Sequence, residues 1–555
     1  MLWIALHLPL LSLESFAATL SPELNAQPLA LMDAHRIVSV NASARALGVK
    51  PGLKRATALA LAPNITLGLA CAARDAQALT AVAHAALAFT PGVSIEPARA
   101  AASPGAAGSD AADTVLLDVQ ASLRYFGGLP ALLVRLQAAL APLGHRLHVV
   151  SAPTALGAAL LARVHPQLHC TDLQVLQRAL AAAPVWLIGA GRDRYSRVRP
   201  QATALRRPPT EGSKRTGGGP ALPWEAMQGM GLRTLADLEA LPRAGLARRF
   251  GEAVLSDLDR AMGLRPDPRE PIRLPPTFDS RLELFARADT AEQLLYGAAV
   301  LLARLVAWLA AQQAFVRRFQ LVMEHERHRR TDAQTPACAT LTTLDIALAE
   351  PSRDPAHLLV LLRERLTQLE LPAPTLDLRL LADDIARRAP PNHELFPTPQ
   401  SEQDGLTRLI ERLQARLGPA QVQRLEAVAD HRPERASRLC ATDARIRLPV
   451  ARGNARSADA AAGPHKEPAA MRPVWLLAQP EPLPERQTGP TGPTLGGQPL
   501  QLLSGPERIE SGWWDAALAE RDYFIAQLPG GALVWIYRAR VPVQGAGWFL
   551  QGRFA

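Results

Sequence analysis

"MLWIALHLPLLSLES" (residues 1–15) decides how this chain is read. Ten of its first eleven residues are apolar, counting Ala5 and Pro9, and His7 stands among them. A secretory leader carries a positive start and a small-residue cleavage site, yet no Lys or Arg precedes Arg36. A membrane-spanning helix needs about 20 apolar residues, and Pro9 interrupts this run. The segment reads instead as a short buried strand, Leu2 to Leu8, turning at Pro9 into a helix from about Ser12. No other stretch offers a span free of charge and proline. The expectation is a cytoplasmic protein with no membrane partner.

The rest of the chain is consistent with that reading. At 555 residues, 48% hydrophobic and 20% charged, it has the size and composition of several soluble domains. Its four cysteines (Cys71, Cys170, Cys338, Cys440) form no CxxC pair, which argues against a disulfide framework or zinc ribbon. The net charge of +10 rests almost wholly on arginine, since only Lys50, Lys54, Lys214 and Lys466 are lysines. A basic chain suits nucleic acid. Coding bias toward Ala, Leu, Pro and Arg would give the same balance, and composition weighs the two evenly.

Up to about residue 170, strand-like runs such as "HRIVSVN", "TVLLDVQ" and "HRLHVVSAP" alternate with Ala/Leu-rich helices. This is an α/β pattern, a sheet covered by helices. "RPPTEGSKRTGGGP" (207–220) has the composition of a flexible loop. Beyond it, "LPWEAMQGMGLRTLADLEALPRAGLARRFG" (222–251) places Gly229 and Gly231 before a helix start. Such a turn presents backbone N–H groups that suit a DNA phosphate, although a plain helical turn has the same sequence. Residues 278–385 read strand, helix, strand, strand, helix, strand, a βαββαβ unit. "PPNHELFPTP" (390–399) precedes the amphipathic "GLTRLIERLQARLG" (405–418). Residues 430–470 lack periodicity and read as a linker. Five of nine tryptophans follow (Trp475, Trp513, Trp514, Trp535, Trp548), which implies a β-rich module or a partner-binding surface.

This order of parts resembles the Y-family DNA polymerases, and within them the polymerase-like branch of a bacterial mutagenesis cassette. The resemblance rests on "ALGVKPGLKRATALALAPN" (46–64), "LLDVQASLRYFGG" (116–128), "SAPTALGAALLARVHP" (151–166) and "LRTLADLEALPRAGLARRFG" (232–251). "LLSGPERIESGWWD" (502–515), "RDYF" (521–524) and "WFLQGRFA" (548–555) are similar to a tail that ordinary Y-family polymerases lack. It implies a multidomain α/β fold, α+β overall. Palm and fingers would occupy 1–170; the palm end, the loop and a helix-hairpin-helix thumb 171–275; and the little finger 276–386. A clamp-binding peptide with an amphipathic helix would fill 387–430, a linker 431–470, and an aromatic module 471–555.

The resemblance also bears on the chemistry. The family carries Asp-x-Asp on its first strand, and setting its following Glu on Glu14 puts the two carboxylate positions at Ala5 and His7. The Asp-Glu pair of a later strand falls on Asp113 and Thr114. Clustered carboxylates serve two Mg²⁺ ions, which demand oxygen ligands, and here only Asp113 supplies one. Of the nucleotide contacts, the family's Tyr falls on Ala42, its Arg is kept as Arg45, and a Lys becomes His165. With no His, Cys or carboxylate partner nearby in sequence, His7 reads as structural rather than as a metal ligand.

The resemblance therefore implies an adaptor without catalysis or cofactor. It would bind DNA through Gly229, Gly231, Arg243, Arg248, Arg249, Arg317 and Arg318. Asn392, His393, Glu394, Leu395 and Phe396 resemble a sliding-clamp peptide, Gln-x-x-Leu-Phe with Asn for Gln, held extended by flanking prolines. The tail, with Trp513, Trp514, Trp535 and Trp548, would recruit a RecA-like ImuA and an error-prone DnaE-type polymerase. The rival is an active translesion polymerase whose Mg²⁺ site is built on Asp113 with Asp110 or Asp118. A scaffold that does not touch DNA is the third alternative.

Overall fold

The computed structural model describes residues 1–97, 112–188, 223–326, 340–387, 399–442, 472–473, 475–485, 492–540 and 547–554. They form two compact units, divided between His393 and Glu394.

The opening stretch is strand β1 (Trp3–His7), followed by a helix over Leu11–Ala17. A three-stranded sheet comes next, built from β2 (Leu29–Asp33), β3 (Arg36–Val40) and β4 (Thr66–Leu69) in the order β3-β2-β4. β1 itself lies at the centre of a five-stranded sheet with β5 (Val93–Ile95), β6 (Thr114–Asp118), β7 (His148–Ala152) and β8 (Gln167–His169), ordered β5-β6-β1-β7-β8. Side chains alternate across a strand. Ile4 and Leu6 therefore join Val115, Leu117 and the helices Ala72–Leu87 and Leu129–Leu140 on one face. Ala5 turns the other way, onto Leu116, Val150 and the helix Ala155–Ala162. A strand covered on both faces has to be apolar along its length, which accounts for the leader-like look of residues 1–15.

Four short helices follow: Pro223–Gly229, Leu235–Glu239, Arg243–Phe250 and Glu252–Ala261. Gly231 takes φ +86° in the turn after the first, a conformation that favours glycine. Thr234 and Asp237 cap the second reciprocally. The last packs on Ala155–Ala162 so closely that a Cβ at Gly157 would lie 3.0 Å from the Ala261 carbonyl.

The βαββαβ unit forms as read, with β9 (Phe278–Ala288), β10 (Phe315–His325), β11 (Leu341–Ser352) and β12 (Thr375–Ala386) in the order β11-β10-β12-β9. Its long helix, Ala291–Gln312, is apolar and long enough to cross a membrane. Here it packs on β9, β12 and the helix Ala72–Leu87. Arg304 on this helix is 5% exposed and donates to Gln77, to the Ser280 hydroxyl (3.1 Å) and to the Arg281 carbonyl (3.3 Å). Burial lowers its pKa to about 10.

The second unit corrects two expectations. Part of the stretch 431–470 is ordered structure rather than linker, because β13 (Gln423–Ala427) and β14 (Ser437–Ala441) pair as a hairpin. Buried Arg432, in its connection, holds it in place by donating to Asp430 (2.6 Å) and to Asp515 (2.7 Å). Charge pairing fixes this hairpin, so apolar periodicity gives no sign of it. The tail is a sheet of β15 (Trp475–Leu483), β18 (Gln501–Ser511), β19 (Ala519–Gln527), β20 (Leu533–Ala539) and β21 (Trp548–Arg553), with a small β16–β17 ribbon (Thr494–Leu495, Gln498–Pro499). Within it Trp535 is 2% and Trp548 8% exposed. Both are core residues, with Trp535 stacked on Tyr523 at 4.3 Å. Only Trp513 and Trp514 of the expected partner-binding four stand exposed, joined by Trp475.

Candidate functional site at the end of the first strand

The register of β1 against β6 pairs Ala5 with Leu116 and His7 with Thr114. This brings the four expected positions to one corner, since the Leu8 amide donates to the Asp113 carbonyl at 2.9 Å. Ala5 is sealed, with no exposed surface. A carboxylate there would be buried without water, at a cost that only pairing or a metal could offset.

His7 is 7% exposed and its edge meets His148, with ring centroids 5.7 Å apart. Thr114 Oγ1 donates to Asp113 Oδ1 at 2.8 Å, so the contact of His7 Nδ1 with Thr114 Oγ1 at 3.1 Å is donated by the imidazole. His7 Nδ1 is also 3.5 Å from Asp113 Oδ1. The same oxygen receives Arg163 Nη2 at 2.7 Å. Three donors thus converge on one carboxylate oxygen. Burial pushes the Asp113 carboxyl up, but the His7 hydrogen bond, the Arg163 charge and the Thr114 hydroxyl outweigh it and hold the group at about 2.

These side chains do not fit a pair of Mg²⁺ ions. One carboxylate is available, and its inner oxygen already faces a guanidinium. Asp118, at the far end of β6, lies five residues from Asp113, about 16 Å along a strand, and accepts from its own Gln120 amide. Asp110 lies outside the described residues. Among the described residues no group of three or more His, Cys, Asp or Glu side chains could hold a metal ion.

Sequence reasoning missed Arg163, which follows the helix Ala155–Ala162. It had singled out His165, two positions later, and no side-chain contact brings His165 into this corner. Arg45 lies exposed on the helix Ala42–Ala46, away from the Asp113 cluster.

The expected DNA contacts divide. Arg248 and Arg249 are exposed on the helix Arg243–Phe250, whereas Arg243 is committed to Asp259 at 2.6 Å. Arg317 is exposed, and Arg318 is paired with Asp345 at 2.8 Å. The strand registers place Arg318 with Arg281 and Arg379 on one face, among Asp279, Glu283, Glu324, Asp345, Asp377 and Asp384. Six carboxylates against three arginines make that face acidic, which disfavours phosphate. Residues 392–396, the clamp-like peptide, lie outside the described residues.

The comparisons agree with this element order. The sequence model of the impB/mucB/samB family matches residues 12–141. The protein ImuB of Caulobacter vibrioides, in two strains, is 28% identical over 546 residues, covering 92% of this chain and all of the relative. This chain is an ImuB homologue of the Y-family polymerases. Among solved structures, a Dbh ternary complex aligns at 16% identity and TM-score 0.35, over 69% of this chain and 99% of that one. DinB from Sulfolobus solfataricus aligns at 16% and 0.33, over 69% and 99%.

Arg163→Ala leaves Asp113 partly buried beside His7 without its main counter-charge. It should cost about 3 kcal/mol of stability, the scale for breaking a buried pair. In an Arg163→Ala/Asp113→Asn double-mutant cycle by urea unfolding, the double variant should recover at least about 1 kcal/mol of the summed losses. Additive losses would mean that the two groups are not coupled. Asp113's depressed pKa adds stability that is fully present above the ordinary carboxylate range and is lost as pH falls through about 2. Asp113→Asn should flatten that acid limb.

Proposed function

We propose that this ImuB homologue is a polymerase-shaped adaptor in DNA-damage-induced translesion synthesis and mutagenesis, without nucleotidyl transfer of its own. The observation that carries this is the Asp113–Arg163 pair beside the sealed Ala5. Where two metal ions would need a cluster of oxygens, the chain supplies a cation of its own. Its remaining roles are to bind DNA, to dock on the sliding clamp through residues 392–396, and to recruit the RecA-like ImuA and an error-prone DnaE-type polymerase. Phosphate contacts fall to Arg248, Arg249 and the two turn glycines, Gly229 and Gly231, because the face around Arg318 is acidic. The alternative, an active polymerase with an unorthodox site on Asp113, requires Arg163 to leave that carboxylate.

Primer extension with purified protein, in Mg²⁺ and in Mn²⁺, should give no incorporation above background. Template-dependent extension that disappears with Asp113→Ala would establish the alternative.

For the clamp, Leu395→Ala/Phe396→Ala should weaken binding beyond detection in calorimetry while the melting temperature stays unchanged. Two buried apolar anchors contribute about 1.5–3 kcal/mol each, and each 1.4 kcal/mol is about tenfold in affinity. Binding as tight as wild type would exclude this peptide.

A further inference from the structure

An arginine–leucine dipeptide occurs five times between residues 408 and 439: Arg408–Leu409, Arg412–Leu413, Arg416–Leu417, Arg424–Leu425 and Arg438–Leu439. All ten residues are exposed. The first three pairs lie on the helix Pro399–Leu417, spaced by four. On a helix that spacing stacks the leucines in one stripe and the arginines in a parallel stripe beside it. The opposite side is already used, since Thr407, Ile410, Glu411 and Ala415 are buried. Gln414 donates to the Thr442 carbonyl at 2.7 Å, tying this helix to the end of the hairpin. The leucine stripe is therefore presented on a docked helix, at 53%, 37% and 53% exposure for Leu409, Leu413 and Leu417. On the hairpin, Leu425 and Leu439 stand directly opposite each other, 74% and 65% exposed.

We propose that the Arg/Leu face of the helix Pro399–Leu417 docks an acidic amphipathic helix of a partner protein, with a leucine seam flanked by Glu or Asp. One leucine per turn, flanked by one arginine per turn, is half of a charge-matched helix pair. The seam supplies burial, and the flanking charges select a partner of opposite sign. Duplex DNA would satisfy the arginines and leave the leucines facing water. A lipid surface calls for a broad apolar face, usually with aromatic residues, whereas Ile410 and Ala415 are turned inward and the segment 405–417 holds no aromatic residue. The inference rests on the adaptor reading only in supposing a protein partner, and it is independent of the chemistry at Asp113.

The test uses the full chain and a synthetic 21-residue helical peptide with leucine at every seam position and glutamate on both flanks, followed by fluorescence anisotropy. Binding should weaken as salt rises. It should fall by at least about tenfold, or 1.4 kcal/mol, in Leu409→Ser/Leu413→Ser/Leu417→Ser. Arg408→Glu/Arg412→Glu/Arg416→Glu should lose the glutamate-flanked peptide and gain its lysine-flanked counterpart. That reversal requires a folded face, so it separates docking from misfolding. No binding by wild type, or a charge-reversed variant that binds neither peptide, would overturn the proposal. So would a leucine face that takes phosphatidylglycerol vesicles or duplex DNA but not the peptide. Primer-extension and clamp results would be unmoved by any of these outcomes, so this inference can fail while the adaptor reading stands.

Discussion

One ion pair organises the corner on which the account turns. Arg163 stands at the C-terminal end of the helix Ala155–Ala162, and Asp113 immediately precedes β6. Their 2.7 Å contact joins the helix to the strand edge that β1 reaches through the Leu8 amide. His7 and Thr114 add their hydrogen bonds to the same carboxylate. A lone carboxylate in this half-buried place would be costly or protonated. Satisfied from three sides, it is ionised and structural. The same satisfaction removes it from metal chemistry, because an oxygen committed to a guanidinium is a poor ligand for a second cation.

The constraint extends outward. With no ion to bind, the first strand has no need of acidic side chains, and Ala5 can pack against Leu116 and Val150 as core. The helix that carries Arg163 also anchors the four-helix segment through Thr154, whose hydroxyl donates to the Ala261 carbonyl at 2.7 Å. The βαββαβ unit is held to the same body by the buried Arg304 and by the edge contact of Phe16 with Phe285. Its open face has turned acidic around Arg318. A scaffold freed from catalysis can redistribute charge in this way, keeping the basic residues that face DNA on other elements.

Much of this was legible in the sequence, and what was not has identifiable causes. β1 and the βαββαβ unit follow from local apolar pattern, and Ala5, His7 and Thr114 follow from strand register counted from Glu14 and Leu117. Arg163 escaped because its partner is fifty residues away, and nothing in "LLARVHP" says which basic residue turns inward. Trp535 and Trp548 were misplaced because aromatic density does not distinguish a core from a surface. Trp513 and Trp514 differ from them by position, in the turn that follows Gly512 (φ +84°). The hairpin Gln423–Ala441 was hidden because Arg432 and two aspartates hold it, without an apolar alternation to read.

The central claim is that Arg163 occupies the place of a metal ion. Titration of Mn²⁺ into the purified protein, followed by electron paramagnetic resonance of the free ion, tests it most directly. Wild type should leave the free Mn²⁺ signal undiminished at equimolar, high-micromolar concentrations. A site that takes up Mn²⁺ stoichiometrically and is lost in Asp113→Asn would contradict it.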